Sequence, residues 1–319
     1  VPSPQRIAFL GPEGTFAHAA TRAIVSARPV AEARDAALVG YATVTLAIDA
    51  LRSGEVEGAV VPMENSVEGA VPATLDELAG GSPLVIAAET FLPVLFDLLV
   101  RPGTSLDAVR TIATHPHAEA QVRRYLLTNL PGAAVAMVGS TAGGAQSVSK
   151  GEYDAAVAPP VAGELFGLVA LAHDIADNPG AVTRFVLLRR PATPPPPTGN
   201  DRTTLVTYLR EDHAGALLDI LTEFSTRSIN LTRIESRPTK GRLGQYCFTI
   251  DCEGHINEER VGEAVAALHR VCADVRYLGS YARRDGEQGR IAPGRTNAEF
   301  RDSQVWLAQL RESGRSESS

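Results

Sequence analysis

Pro191-Ala192-Thr193-Pro194-Pro195-Pro196-Pro197-Thr198-Gly199 divides the chain. Consecutive prolines favour an extended, semi-rigid spacer, so the segments on either side fold around separate cores. Before it, strand-like runs at Arg6 to Leu10, Gly58 to Val61, Thr111 to Thr114, Ala134 to Val138 and Ala155 to Ala158 alternate with helical segments. Those helices are read at Ala17 to Arg28, Thr45 to Ser53, Ala118 to Thr128 and Ala142 to Lys150, and the alternation predicts an α/β architecture. After the spacer, Leu205 to Leu209 reads as a strand and Leu217, Ile220, Leu221 and Phe224 recur at helical spacing. Asn230 to Ser236 and Tyr246 to Asp251 follow as strands. Val261, Val265, Leu268 and Val271 or Cys272 mark a second helix, and Asp274 to Leu278 a last strand, giving the β-α-β-β-α-β order of a ferredoxin-like fold.

With 319 residues, 44% of them hydrophobic and 21% charged, the chain is long enough for two such cores and has an ordinary globular composition. A net charge of -7 and the lack of a basic cluster argue against nucleic-acid binding and favour a small metabolite. No apolar run approaches the roughly 20 residues that span a bilayer, and Val1 to Arg6 leads directly into a strand without the look of a signal peptide. Cys247 and Cys252 are five apart in one strand, on opposite faces, so they cannot pair there; a reducing cytoplasm fits this usage. Beyond Arg283 the chain turns polar, except for a helical stripe of Phe300, Trp306, Leu307 and Leu310 that reads equally as a docking face or as part of a loose tail.

Five stretches can carry chemistry. Gly11-Pro12-Glu13-Gly14-Thr15-Phe16 lies between a strand and a helix, where backbone amides and the helix dipole can face an anion. Thr15 as a plain helix cap explains it equally well. Glu64, Asn65 and Ser66 follow the apolar run Ala59 to Val61, at a strand end where open α/β sheets bind ligands; capping of a helix over Val71 to Leu78 is the alternative. His115 and Ser140-Thr141-Ala142 each stand between a strand and a helix and can also be caps. Asn178 to Phe185 contains Thr183, a hydroxyl donor, and Arg184, whose planar fork matches a carboxylate unless it is merely a surface loop residue. Metal-ligand spacing, the phosphate-loop ending and Gly-x-Ser-x-Gly are all absent from the sequence.

Taken in order, GPEGTF (11–16), PMENSVEG (62–69), THP (114–116), STAGGA (140–145) and TRF (183–185) resemble the prephenate dehydratase family. Gly215-Ala216-Leu217, Ile229-Asn230-Leu231 and Ile234-Glu235-Ser236-Arg237-Pro238 resemble its phenylalanine-binding ACT domain. Two positions depart from many relatives: Ala214 stands where they have Pro, and Phe96 where they have His.

The resemblance implies a catalytic domain over 1–190 with two lobes, similar to type II periplasmic binding proteins. One lobe takes about 1–90 plus 183–190 and the other about 91–182. A linker at 191–201, an ACT domain at 202–282 and a tail from 283 follow. It implies a lyase that converts prephenate into phenylpyruvate, CO2 and water without a cofactor or metal. Thr183, Arg184, Glu64 and His115 would be catalytic. Gly11, Pro12, Gly14, Thr15, Asn65, Ser66, Ser140, Thr141, Ala142, Asn178 and Phe185 would bind substrate, with Arg184 and the Gly11 to Thr15 amides anchoring the anion. L-Phenylalanine would be the effector, held by Gly215, Ala216, Leu217, Asn230, Leu231, Glu235 and Ser236 between paired copies of a homodimer or homotetramer. Arogenate as substrate, or a non-catalytic amino-acid sensor, stays open from the residues alone.

Overall fold

The structure is a computed structural model that describes residues 5–27, 36–239, 246–287, 289 and 291–313. Val1 to Pro4 and Arg28, which the sequence readings touch, lie outside the described residues. The chain forms two compact units, one of residues 1–77 and 88–190, the other of 78–87 and 191–319.

The first unit runs β1 (Arg6–Leu10), α1 (Phe16–Ala27), β2 (Ala37–Tyr41), α2 (Val44–Ser53), β3 (Gly58–Asn65), β4 (Gly69–Ala70), α3 (Pro72–Ala79) and β5 (Val85–Pro93). It continues with β6 (Asp97–Val100), β7 (Thr111–Thr114), α4 (Pro116–Asn129), β8 (Ala134–Met137), α5 (Thr141–Ser149), β9 (Ala155–Ala158), α6 (Pro160–Phe166), β10 (Val169–Ala172) and β11 (Val182–Arg189). Two sheets result. One has the order β2-β1-β3-β11-β5, with β4 beside β3; the other has the order β10-β6-β9-β7-β8. Each sheet is the spine of a lobe. The chain leaves the first lobe after β5 and returns as β11, which pairs antiparallel with β3 and closes that sheet.

Burial explains the strands that composition alone marks poorly. Ala155 to Ala158 is buried at every position because β9 is central and covered on both faces, where small side chains let helices approach. Gly144 of α5 shows how close: a Cβ there would sit 3.0 Å from the Ala113 carbonyl oxygen.

The second unit contains β12 (Asp201–Tyr208), α7 (Ala216–Ser225), β13 (Leu231–Pro238), β14 (Tyr246–Glu253), α8 (Glu259–Val271), β15 (Asp274–Ala282) and α9 (Asn297–Ser313). Its sheet order β13-β14-β12-β15 is the ferredoxin-like one. Ile220 and Phe224 of α7 and Val261, Ala264 and Leu268 of α8 pack on Leu205, Ile250 and Cys252 of the sheet. Each large aliphatic or aromatic side chain among them contributes roughly 1.5–3 kcal/mol of burial.

Residues 78–87 belong to this unit rather than to the expected first domain. Arg276 of β15 donates to the carbonyls of Leu78, Gly80 and Gly81 at 3.3, 2.6 and 3.1 Å. At Gly279 (φ 118°) a Cβ would stand 2.5 Å from the Ile86 carbonyl oxygen, so glycine is required there by both backbone and space. Cys247, Cys252 and Cys272 are all buried, and burial pushes the Cys252 thiol to about 12 and that of Cys272 to about 11. The late helix α9 touches α8 at its start, where Asn297 accepts from the Glu259 amide and Arg301 meets the Glu259 carboxylate. Trp306, Leu307 and Leu310 stay exposed. Among the described residues no helix is long and apolar enough to cross a membrane.

Candidate active site

A cleft of about 360 Å³ lies between the lobes of the first unit. The first lobe supplies the turn between β1 and α1, with Gly11, Thr15 and Phe16, and the end of β3, with Asn65 and Glu68 just beyond it. From the second lobe come His115, His117 and Gln121 at the start of α4 and Ser140 and Thr141 at the start of α5. Phe96, after the outgoing crossing, and Thr183 and Phe185 of β11 complete the lining.

Three helix N-termini meet here. Thr15 caps α1, its hydroxyl accepting from the His18 amide at 3.3 Å while donating to the Leu10 or Pro12 carbonyl. His115 caps α4, with Nδ1 accepting from the His117 amide at 3.3 Å, and Ser140 caps α5 by accepting from Gly143 at 2.9 Å. The capping explanation of these residues is therefore correct, and it does not compete with a ligand role, because a capped N-terminus still directs partial positive charge into the cleft. Among the described residues no Lys or Arg lines the cleft, so this dipolar charge is the main attraction it offers an anion.

Thr183 is 9% exposed, and its Oγ1 accepts from Asn65 Nδ2 at 2.8 Å. That bond occupies a lone pair and leaves the threonine O–H available as a donor. Asn65 in turn accepts from the Val67 and Glu68 amides at 2.8 and 3.0 Å, so one side chain fixes both the hydroxyl and the turn after β3. Ser66 binds β11 instead of the substrate space: its hydroxyl accepts from the Val182 amide and its own amide donates to the Val182 carbonyl, both at 2.9 Å. Neither Asn65 nor Ser66 makes the cap that the helix alternative required.

The expected anchor Arg184 requires correction. Side chains alternate along a strand, and with Thr183 and Phe185 lining the cleft, Arg184 projects to the other face. Its side chain is 1% exposed, with Nε on Glu89 at 2.8 Å and Nη1 on Glu64 at 2.9 Å. Glu64 shares that face. The pair is thus an internal brace joining β3, β5 and β11, away from the substrate space, and the surface-loop explanation of Arg184 fails as well. Pro12, Gly14, Ala142 and Asn178 also lie outside the lining. Gly14 (φ 85°) does serve a lobe contact, since a Cβ there would meet Ala142 and Phe166 at 3.3 Å.

His115 titrates below the ordinary histidine range, first because burial disfavours its charge and then because His117 is close; Glu68 opposes this. Since Nδ1 accepts a bond, the neutral ring carries its proton on Nε2. The imidazoles of His115 and His117 are stacked, with centroids 5.2 Å apart and planes 8° from parallel. Sequence reasoning did not select Glu68, His117, Gln121, Phe16 or Phe96 as site residues. Phe96 packs edge-on against Phe16, with ring centroids 5.3 Å apart, making one wall of the cleft apolar.

In the second unit, Gly215, Ala216, Leu217 and Ser236 line a hollow of about 290 Å³ with His213 and Tyr246. Asn230, Leu231 and Glu235 do not join it. Asn230 donates to Glu253 at 3.1 Å, before the start of β13, whereas Ser236 lies near the strand's end.

The fold and cleft define a two-lobed α/β protein with three helix N-termini at the cleft between its lobes, followed by a ferredoxin-like module. The prephenate dehydratase family profile matches residues 7–193 and the ACT domain profile matches 203–270. The chain belongs to the prephenate dehydratase family. It is 50% identical over 306 residues to the prephenate dehydratase of Amycolatopsis methanolica, covering 96% of this chain and 97% of that one. A crystal structure of prephenate dehydratase from Arthrobacter aurescens in complex with L-Phe superposes with a TM-score of 0.87 at 44% identity, covering 96% of this chain and 99% of that chain. Another similar structure, at 34% identity and a TM-score of 0.76 over 88% of this chain and 99% of that one, is described as GqqA, a novel type of quorum quenching acylase.

Proposed function

We infer that the chain is a lyase that converts prephenate into phenylpyruvate, CO2 and water, under control by L-phenylalanine. The observation that carries this reading is the Thr183 hydroxyl, held by Asn65 and facing a cleft of three helix N-termini. Prephenate is a dianion. Its ring carboxylate leaves as CO2, the freed electron pair enters the ring, and the allylic hydroxide departs with one proton taken up. The ring becomes aromatic, which supplies the driving force, so the protein's task is placement and help for the departing oxygen. Thr183 would donate to that oxygen. The neutral His115 would offer its Nε2–H, and the N-terminal ends of α1, α4 and α5 would direct their partial positive charge at the carboxylates.

An acyl-transfer reading lacks an activated nucleophile: among the described residues no hydroxyl lining the cleft is hydrogen-bonded to a histidine ring. Site roles follow the geometry. Thr183 and His115 would act on substrate, whereas Arg184 and Glu64 would position β11.

The first 190 residues other than 78–87 would form the catalytic domain, 191–201 a linker, 202–282 the effector domain and 283–313 an appended segment. Phenylalanine would bind where Gly215 to Leu217 of one copy meets Asn230 of another, as a homodimer or homotetramer; the separation of these residues within one chain supports that arrangement. A cytoplasmic enzyme fits the cysteine usage. The test is direct: purified protein is incubated with prephenate at neutral pH and phenylpyruvate is followed with and without phenylalanine. Formation that phenylalanine alters is expected, and no formation overturns the reading.

A further inference from the structure

Glu68 is the one carboxylate among the described residues that line the cleft, and the mechanism above leaves it unused. It belongs to the first lobe, yet its partners belong to the second. Gln121 Nε2 donates to Glu68 Oε1 at 3.2 Å, and His117 Nδ1 lies 3.2 Å from the same oxygen. His117 and Gln121 are four residues apart, hence neighbours on one face of α4. The Glu68 end of this bridge is fixed by Asn65, the side chain that also holds Thr183. At the other end, the His117 ring is stacked on that of His115.

A half-exposed bridge of this kind contributes little to folding. Its position gives it another effect. It ties the α4 end of the cleft to the strand end that carries Asn65, and a shift of about 1 Å in a bound substrate's surroundings can cost roughly 100-fold in rate.

We propose that Glu68 is a positioning residue: it fastens the first turns of α4 across the cleft through His117 and Gln121, and so keeps the His115 ring aligned with the Thr183 hydroxyl. The proposal rests on the cleft being the prephenate site, and its test is arranged so that the two fail separately. Steady-state turnover of prephenate is compared for the full-length protein and its Glu68→Ala, Glu68→Gln, Gln121→Ala and Glu68→Ala/Gln121→Ala variants. Amide hydrogen exchange over residues 116–121 and 142–145 is measured without substrate.

Glu68→Ala is expected to raise KM about ten-fold with a smaller fall in kcat, and to speed exchange at 116–121 but not at 142–145. Glu68→Gln keeps an acceptor oxygen for both donors and is expected to recover most of the loss. The double variant is expected to resemble Glu68→Ala alone, because both changes break one link. Unchanged KM and exchange in Glu68→Ala, or a Glu68→Gln variant no better than Glu68→Ala, would overturn the proposal. Should the unaltered protein fail to consume prephenate, the functional reading falls, while the exchange measurement still decides whether Glu68 holds α4.

Discussion

The cleft of the first unit and the hollow of the second are assembled differently. In the first unit, residues from five separated stretches, around positions 11, 65, 115, 140 and 183, meet in one chain because the antiparallel return of β11 beside β3 brings them together. In the second unit, Gly215 to Leu217 and Ser236 share a hollow while Asn230 stands elsewhere, bonded to Glu253. A site closed by sheet pairing is complete in the single chain; under the proposed function, one whose parts lie at different ends of an edge strand would take a second copy to bring them together.

The contrast breaks most visibly at Thr183. Thr183→Val keeps the side-chain volume and removes the donor together with the acceptor of the Asn65 bond, and turnover of the still-folded protein should fall by roughly 100-fold or more; activity within a few-fold of the original would refute a cleft organised around that hydroxyl. Next is Arg184. Because it braces three strands from the far face, Arg184→Leu should destabilise the protein by about 3–5 kcal/mol in urea titrations, leaving Glu89 buried without its cation. A stable variant that merely binds substrate poorly would restore the anion-anchor role.

The effector side is sharpened by mixing. Gly215→Val and Asn230→Ala should each weaken phenylalanine binding about ten-fold in calorimetry, and subunits of the two variants, unfolded and refolded together, should regain part of it through interfaces that hold both intact halves. No recovery would mean that each chain binds phenylalanine by itself. The smallest effect is on pH. His18 and His115 both titrate below the ordinary value in the folded protein, chiefly because they are partly buried. The unfolded chain therefore binds more protons as pH falls below about 6.5, and the stability present above that value declines toward the lowered folded values. Thermal unfolding at pH 7.5 and 5.5 should show the decline, and replacing His18 by Phe, which stacks on Phe9 without titrating, should reduce it.

Much of this was legible in the residues. The β-α-β-β-α-β order, the strands β1, β7 and β9, and the ordered motifs of the cleft depend on local periodicity and on which side chains can turn, cap or donate. Strand β11 was less legible. The order Thr183-Arg184-Phe185 does not say which of the three faces the cleft. The same holds for Glu68, His117 and Gln121, whose bridge pairs residues 49 and 53 positions apart.

By itself the sequence determined two cores separated by a proline spacer, an alternating α/β half, a ferredoxin-like half, and a set of turn and cap residues suited to an anion. Those follow from interactions within a few residues, which composition and spacing record. Only the tertiary structure decided that Arg184 points away from the cleft, that residues 78–87 pack with the second unit, and that Glu68 reaches α4. Such outcomes depend on strand register and on contacts between distant segments, and a one-residue change of register moves a side chain to the opposite face of a sheet.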